Sequence, residues 1–247
     1  MRQKISIDVT LVSGARPGLL KKTLDSFSEK LFRHFNIETL FVNIDPFEGG
    51  QAEVDECEAI CRCFFPSIET RKPEWPNFTR AVKWLWQQPR AAWVFHLEDD
   101  WVLNRDVTYE EFTQSISRRV SQISLMTKEK NWGYRSPYHF EPNRLKLLGK
   151  DLGKGLNKKR PIFTTSPSFV KRDFVHRCAA LMLDGLDPEK QLNALNPELN
   201  TFTAQYRNRF IGQRREYVAV DIGRKHRKDI GLTKRIVKGI SVWAEER

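Results

Sequence analysis

Three short segments rich in β-branched and apolar residues, Lys4–Val12, Glu38–Ile44 and Ala92–Leu97, recur through residues 1–100, and helix-spaced apolar residues fill the intervals between them. In the first interval Leu20, Leu24, Phe27, Leu31 and Phe35 fall on one face of a helix. In the second, a short acidic helix around Ala52–Cys61 precedes the loop Lys72–Pro76, and Phe78, Val82 and Leu85 then mark another helix, stopped by Pro89. Strands separated by helices imply a parallel α/β sheet, because parallel neighbours need crossover connections that place helices on the sheet faces. Such sheets bind ligands beyond the carboxyl ends of their strands. Polar clusters stand at all three ends: Ser13–Arg16, Asn43–Asp45 and Glu98-Asp99-Asp100.

The last cluster carries the chemistry. Consecutive carboxylates after a buried strand repel one another and resist ionisation unless a counter-charge is supplied. A hard divalent cation supplies it, since Mg²⁺ and Mn²⁺ prefer oxygen ligands and bridge protein carboxylates to substrate phosphates. The alternative is a solvated acidic turn with no ligand.

The second half is less regular. The pattern suggests a helix over Glu110–Val120, strands at Gln122–Met126 and Phe163–Lys171, and a helix after Asp173, its candidate cap. A helix over Glu198–Phe210 and a strand over Tyr217–Ile222 follow, whereas Asn131–Lys159 shows little periodicity. With 40% hydrophobic and 30% charged residues and no repeat, the chain reads as one ordinary globular domain. No apolar run approaches the roughly 20 residues that cross a bilayer, and the N-terminus enters a strand with no signal-peptide core, so a cytoplasmic protein is expected. Cys57, Cys61, Cys63 and Cys178 lack zinc-like spacing and are expected to be free thiols.

Charge adds a partner. The net charge of +11 is concentrated in residues 144–160 and 204–240, the rest being slightly acidic. Such segments suit an anionic partner, whether nucleotide, nucleic acid or membrane surface, although they also occur as merely solvated surface.

The order of these motifs resembles the GT-A glycosyltransferases, closest to the family 2 type, over roughly residues 5–105 with weaker echoes to about 230. Val9–Leu24 looks like the family's opening strand, Arg-Pro turn and first helix. Asn43-Ile44-Asp45 looks like the end of its second strand, Asn77-Phe78-Thr79-Arg80-Ala81 like its nucleotide-contacting segment, and Val94–Asp100 like its apolar strand and D-x-D motif, with Glu at the first position. The resemblance implies a GT-A, Rossmann-like, mostly parallel sheet flanked by helices in a single domain. Residues 1–105 would bind a nucleoside-diphosphate sugar and residues 106–247 the acceptor.

Residue by residue, the resemblance makes Asp100 the direct ligand of Mn²⁺ or Mg²⁺ and sets Glu98 toward ribose or metal. Asp45 would read the base, Ser13 and Arg16 would line the nucleotide pocket, and Arg80 would contact the donor. His226 would lie on the metal or diphosphate, with Arg224 and Arg227 pairing phosphate oxygens. Phe163–Arg172 resembles the strand walling the acceptor side. An inverting enzyme needs a general base for the acceptor hydroxyl. Glu198 takes that place, with Asp184 and Asp187 behind it and simple helix-dipole stabilisation as the alternative role for Glu198.

For the acceptor, the basic segments together with Trp132, Tyr134, Tyr138 and Phe140 have the ingredients of nucleic-acid binding. Hydroxymethylated pyrimidine in bacteriophage DNA is the favoured acceptor, in host cytoplasm if phage-encoded. A lipid-linked or surface-polysaccharide acceptor at an anionic membrane is the alternative. A nucleotidyltransferase and a non-catalytic nucleic-acid-binding module are the rival classes. The first would normally carry a phosphate loop richer in Gly and cations than Ser13–Gly18, and the second leaves the acidic turn without a purpose.

Overall fold

The computed structural model describes residues 4–130, 136–147, 150–213, 215–237 and 240–245. In chain order its elements begin β1 (Ser6–Ser13), α1 (Pro17–Lys30), β2 (Asn36–Ile44), α2 (Gln51–Phe64), β3 (Ile68–Arg71), α3 (Phe78–Gln87), β4 (Trp93–Glu98) and β5 (Trp101–Leu103). They continue with α4 (Tyr109–Ser115), β6 (Val120–Leu125), β7 (Phe140–Leu147), β8 (Lys150–Pro161), β9 (Ser168–Lys171), α5 (Arg172–Leu181), α6 (Pro188–Lys190) and α7 (Pro197–Thr203). The last are β10 (Arg207–Ile211), β11 (Ala219–Asp221), α8 (Gly223–Asp229), β12 (Leu232–Val237) and β13 (Ile240–Glu245).

Seven strands form the central sheet in the order β10-β6-β9-β4-β1-β2-β3. Every neighbour pair is parallel except those of β9, which runs antiparallel to β4 and β6. The expected mostly parallel α/β sheet with flanking helices is therefore present. Alternation along the strands divides the core in two. Val9, Leu11, Leu40, Val42, Phe95, Leu97 and Phe169 face α1 and α2, while Phe41, Val94 and Val170 face α3 and α5.

Local chemistry sets the helix ends. Pro17 opens α1, where a missing N–H costs nothing and φ is already helical. Asn77 caps α3, its Oδ1 accepting from Arg80 N at 2.9 Å. Thr108 and Glu111 cap α4 reciprocally. Asp173 does not cap α5: Lys171 holds the cap position and Asp173 lies in the first turn.

Several expectations in the second half change. The helix expected over 110–120 ends at Ser115, and Val120 opens β6 instead. The helix expected over 198–210 ends at Thr203, and β10 follows, because Asn208 and Phe210 gain more by burial beside β6 than by extending α7. The aperiodic stretch before Lys159 includes the β7–β8 hairpin, while Trp132 and Tyr134 lie outside the described residues, as do Arg214 and Lys238 of the basic tail. The four cysteines are free, Cys57 and Cys61 buried on one face of α2. Among the described residues no helix is long and apolar enough to cross a membrane.

An aromatic cluster joins the two halves: Phe95 of β4 meets Phe27 of α1 at 5.7 Å and Phe169 of β9 at 4.8 Å, and Phe169 meets Phe112 of α4 at 4.6 Å. On the opposite face His96 is wholly buried. Its Nδ1 lies 2.9 Å from Thr10 Oγ1 and accepts from Trp86 Nε1 at 3.3 Å, and burial pushes its pKa down to about 3. A histidine that must stay neutral when folded but takes a proton when unfolded contributes stability above its ordinary pKa of about 6.5, lost as pH falls toward 3. Urea unfolding at stepped pH is expected to show a loss approaching about 1.4 kcal/mol per pH unit from this group within that window. His96→Asn, which keeps an acceptor, is expected to flatten the slope by up to one proton; an unchanged slope would assign the acid sensitivity elsewhere.

Candidate active site

The carboxyl ends of β1, β2 and β4 converge as the register requires. Ser13 pairs with Ile44 and Val12 with Glu98, so the three polar clusters meet at one edge. Backbone bonds fasten them, Asp45 N donating to Ser13 O at 2.8 Å and Asp99 N to Val12 O at 3.0 Å. The acidic turn is held from behind by α1, where Thr23 Oγ1 donates to Asp99 O at 2.9 Å.

Asp99 is the deepest carboxylate. Its Oδ2 accepts from Ser13 Oγ at 2.9 Å and Gly14 N at 2.8 Å, and its Oδ1 accepts from Arg16 Nη2. Ala15 takes a left-handed backbone (φ 54°), and that bend turns Gly14 N and the Arg16 side chain onto the same carboxylate. Burial pushes the Asp99 carboxyl above its ordinary pKa, with Arg16 pulling it back. Burial works against the charge of Arg16 too, but Asp99, Asp100 and Glu48 hold it firmly protonated.

Asp100 is differently placed. Its Oδ2 accepts from Arg227 Nη1 at 2.9 Å and from Arg16 Nη2 at 3.2 Å, while its buried Oδ1 has no hydrogen-bond partner. The β11–α8 junction closes over it: Ile222 N donates to Asp100 O at 2.8 Å, and a Cβ on Gly223 would lie 2.0 Å from Asp100 Oδ2. Only glycine fits there. Arg227 also reaches Asp221 at 3.5 Å, and Arg224 Nε donates to Asp221 at 3.0 Å. Burial, then Asp100, raises the Asp221 pKa.

These groups line one cavity of about 1160 Å³. It runs from Ser13, Arg16, Asp45 and Asn77, past Glu98, Asp100, Arg224 and Arg227, to Lys130, Thr164 and Glu189. Asp45 is buried there, accepting from Asn43 Nδ2 at 2.7 Å and Asn77 N at 3.1 Å, and burial raises its pKa. Glu98 faces the same space and accepts from Trp101 Nε1 at 3.3 Å.

Three sequence candidates are not brought into the cavity. The side chain of Arg80 is exposed and lies 4.0 Å from Asp184, leaving Asn77, Phe78 and Thr79 to line the wall. His226 is not among the lining residues, and its Nε2 sits 2.6 Å from Glu48 Oε2; on α8 it is Arg227 that reaches Asp100. Glu198 is 74% exposed with Arg177 at 3.9 Å, off the cavity. Of its two alternatives Asp187 lines the cavity, whereas Asp184 pairs with Lys83 at 3.0 Å. Among the described residues no group of three or more His, Cys, Asp or Glu is poised around one metal position.

Residues that sequence reasoning missed stand on the far wall. Glu189 accepts from Thr164 Oγ1 and, at 3.1 Å, from Thr165 N. Its local signal, Asp187-Pro188-Glu189, repeats in Asn196-Pro197-Glu198, and only the fold distinguishes the two.

The fold is GT-A-like. A mannosyltransferase from Pyrobaculum calidifontis, solved with GDP-Man and Mn²⁺, superposes with TM-score 0.52 at 11% identity, over 85% of this chain and 55% of that one. The S. aureus TarS fragment bound to UDP gives 0.51 at 12%, over 87% and 60%. A 4-diphosphocytidyl-2C-methyl-D-erythritol synthase from Anaerococcus prevotii gives 0.51 at 12%, over 88% and 90%. The chain thus spans 55% of the mannosyltransferase chain and 60% of the TarS fragment. No protein-family model and no curated protein matches its sequence.

Removing one partner of a buried ion pair strands the other. Arg16→Met is expected to cost about 3–5 kcal/mol in urea unfolding by leaving Asp99 unpaired. Adding Asp99→Asn should recover part of that loss; strictly additive effects would mean that the pair is not coupled.

Proposed function

We propose that this protein is a glycosyltransferase that moves a sugar from a nucleoside-diphosphate donor to an acceptor hydroxyl. The observation carrying this reading is the division of labour in the acidic turn. Asp99 has both oxygens committed within the protein, while Asp100 lines the cavity beside Arg16 and Arg227 and keeps a buried Oδ1 without a hydrogen-bond partner. Solved relatives in fold that bind GDP-Man or UDP support it.

In this reading Asp45 and Asn77 receive the base, Ser13 and Arg16 shape the nucleotide end, and Arg224 and Arg227 face the diphosphate. The unpartnered Asp100 Oδ1, with Glu98 on the same wall, fits a divalent cation, since such ions often take only one or two protein carboxylates beside substrate phosphates. Mg²⁺ or Mn²⁺ held there would supply Lewis-acid stabilisation of the departing diphosphate. Arg227 and Arg16 already neutralise Asp100 Oδ2, so the protein itself provides part of the positive field.

Glu189, rather than Glu198, is the general base we propose. It receives the acceptor proton as the hydroxyl oxygen bonds the anomeric carbon and the bond to the diphosphate breaks, its electrons leaving with the diphosphate. Displacement of that kind inverts the anomeric centre. Thr164 and Thr165 hold the Glu189 carboxylate in position.

Nucleotidyl transfer is the rival suggested by the synthase of similar length. A loop that cradles a nucleoside triphosphate needs free backbone N–H groups. Gly14 N is instead committed to Asp99 at 2.8 Å, which favours the glycosyltransferase reading. For the acceptor we retain a hydroxymethylated pyrimidine in DNA, approached through the basic segments, with a lipid-linked or surface polysaccharide as the competing substrate.

The test combines Mn²⁺ or Mg²⁺, a panel of nucleotide-sugars, and DNA with or without hydroxymethylated pyrimidines, or vesicles carrying lipid-linked glycan, followed by mass spectrometry. Sugar addition is expected to fall about a hundredfold or more in Glu189→Gln with donor binding kept. It should fall at least as far in Asp100→Asn. Pyrophosphate release from a nucleoside triphosphate and a sugar phosphate, with no sugar transfer, would replace this reading by nucleotidyl transfer.

A further inference from the structure

Among the lysines that line the cavity, Lys130 stands out because its ammonium is buried without a hydrogen-bond partner. It closes the turn after β6, where its N donates to Thr127 O at 3.2 Å, and its Nζ is shielded from solvent with no hydrogen bond. An ammonium carries three donors, and burying them unmet is costly. Burial pushes the pKa of Lys130 down to about 8, although Glu189, Glu98 and Glu129 all favour its charge. The wall around it is rich in polar groups: Thr164, Thr165, Ser166 and Asn193 line the same end. Glu98, whose charge Lys130 feels, directly precedes Asp99-Asp100, so Lys130 lies on the side of the acidic turn that leads to Glu189.

We propose that Lys130 is the specificity-determining cation of a hexosyl subsite, donating hydrogen bonds to hydroxyl oxygens of a neutral sugar carried by the donor. This deepens the nucleotide-sugar reading and rests on it. The sugar is neutral because Glu98, Glu129, Asp187 and Glu189 outnumber Lys130, Lys190 and Arg224, the last paired with Glu129 at 3.6 Å, so a carboxylated sugar would meet net repulsion. The ammonium gains in the complex the hydrogen bonds it lacks in the free protein. The nucleotide, held at the Asp45 end, is indifferent to it.

The experiment measures calorimetric affinities, with Mn²⁺ present, for UDP, GDP, ADP and dTDP, each bare and as its glucosyl or mannosyl conjugate. UDP-glucuronate and GDP-mannuronate serve as anionic controls. Wild type is expected to bind one neutral conjugate more tightly than its bare nucleotide and to bind the uronate less well. Lys130→Met should leave the bare nucleotide within about twofold and weaken the neutral conjugate about tenfold or more, as loss of a charged donor implies. Its melting temperature should be no lower than wild type, because the change removes an unpaired buried charge. A conjugate affinity unchanged in Lys130→Met, equal losses for nucleotide and conjugate, or a preference for the uronate would overturn the role of Lys130 while leaving the donor reading intact. Wild type that binds none of the panel would overturn both.

Discussion

Asp99 is buried at the centre of the molecule's functional edge, and the fold around it answers the cost of that burial. An isolated carboxylate in such a place would be protonated or would unfold its surroundings. Ser13, Gly14 and Arg16 meet its two oxygens from the end of β1, and Thr23 of α1 fastens its carbonyl. The end of β1 and helix α1, both far from Asp99 in sequence, are thereby tied to the end of β4. The left-handed turn at Ala15 is part of the same arrangement, since it brings both donors to one carboxylate.

Once Asp99 is satisfied internally, its neighbours are left for a ligand. Arg16 extends past Asp99 to Asp100, and Arg227, 127 residues later in the chain, approaches the same oxygen from the opposite side. The charge repulsion that a run of three acidic residues implies is thus partly answered by arginines rather than wholly by a cation. Asp100 keeps its other oxygen, Oδ1, buried and uncommitted. The basic C-terminal segment acquires a local purpose in this way: the largely enclosed Arg227 pairs with Asp100 and Asp221, while the exposed Arg224 pairs with Asp221 at the cavity rim.

Much of the first half was legible in the sequence, because strand alternation and helix periodicity there agree with the final burial pattern. Leu20, Leu24 and Phe27 do face the core, and Val9, Leu11, Phe95 and Leu97 do share a sheet face. The second half was less legible, since its elements are short and their burial depends on partners far away. Residues 198–210 carry enough apolar content for a helix, yet β6 draws Arg207–Ile211 into a strand. Antiparallel β9, which seats Phe169 against Phe95, has no sequence mark of its direction.

By itself the sequence determined the α/β class, the edge at which the polar clusters gather, and the place of Glu98-Asp99-Asp100 at that edge, because periodicity and strand-end chemistry are local properties. Only the tertiary structure decided how the three acids divide their work, since that depends on which cations reach which oxygen. It also decided between two near-identical Pro-Glu helix starts, turning Glu189 into the cavity and Glu198 out to solvent. Lys130 is the same kind of case: a lysine after a strand reads as surface until packing encloses its amine. Burial and counter-charge are relations between distant segments, and they exist only once the chain has closed on itself.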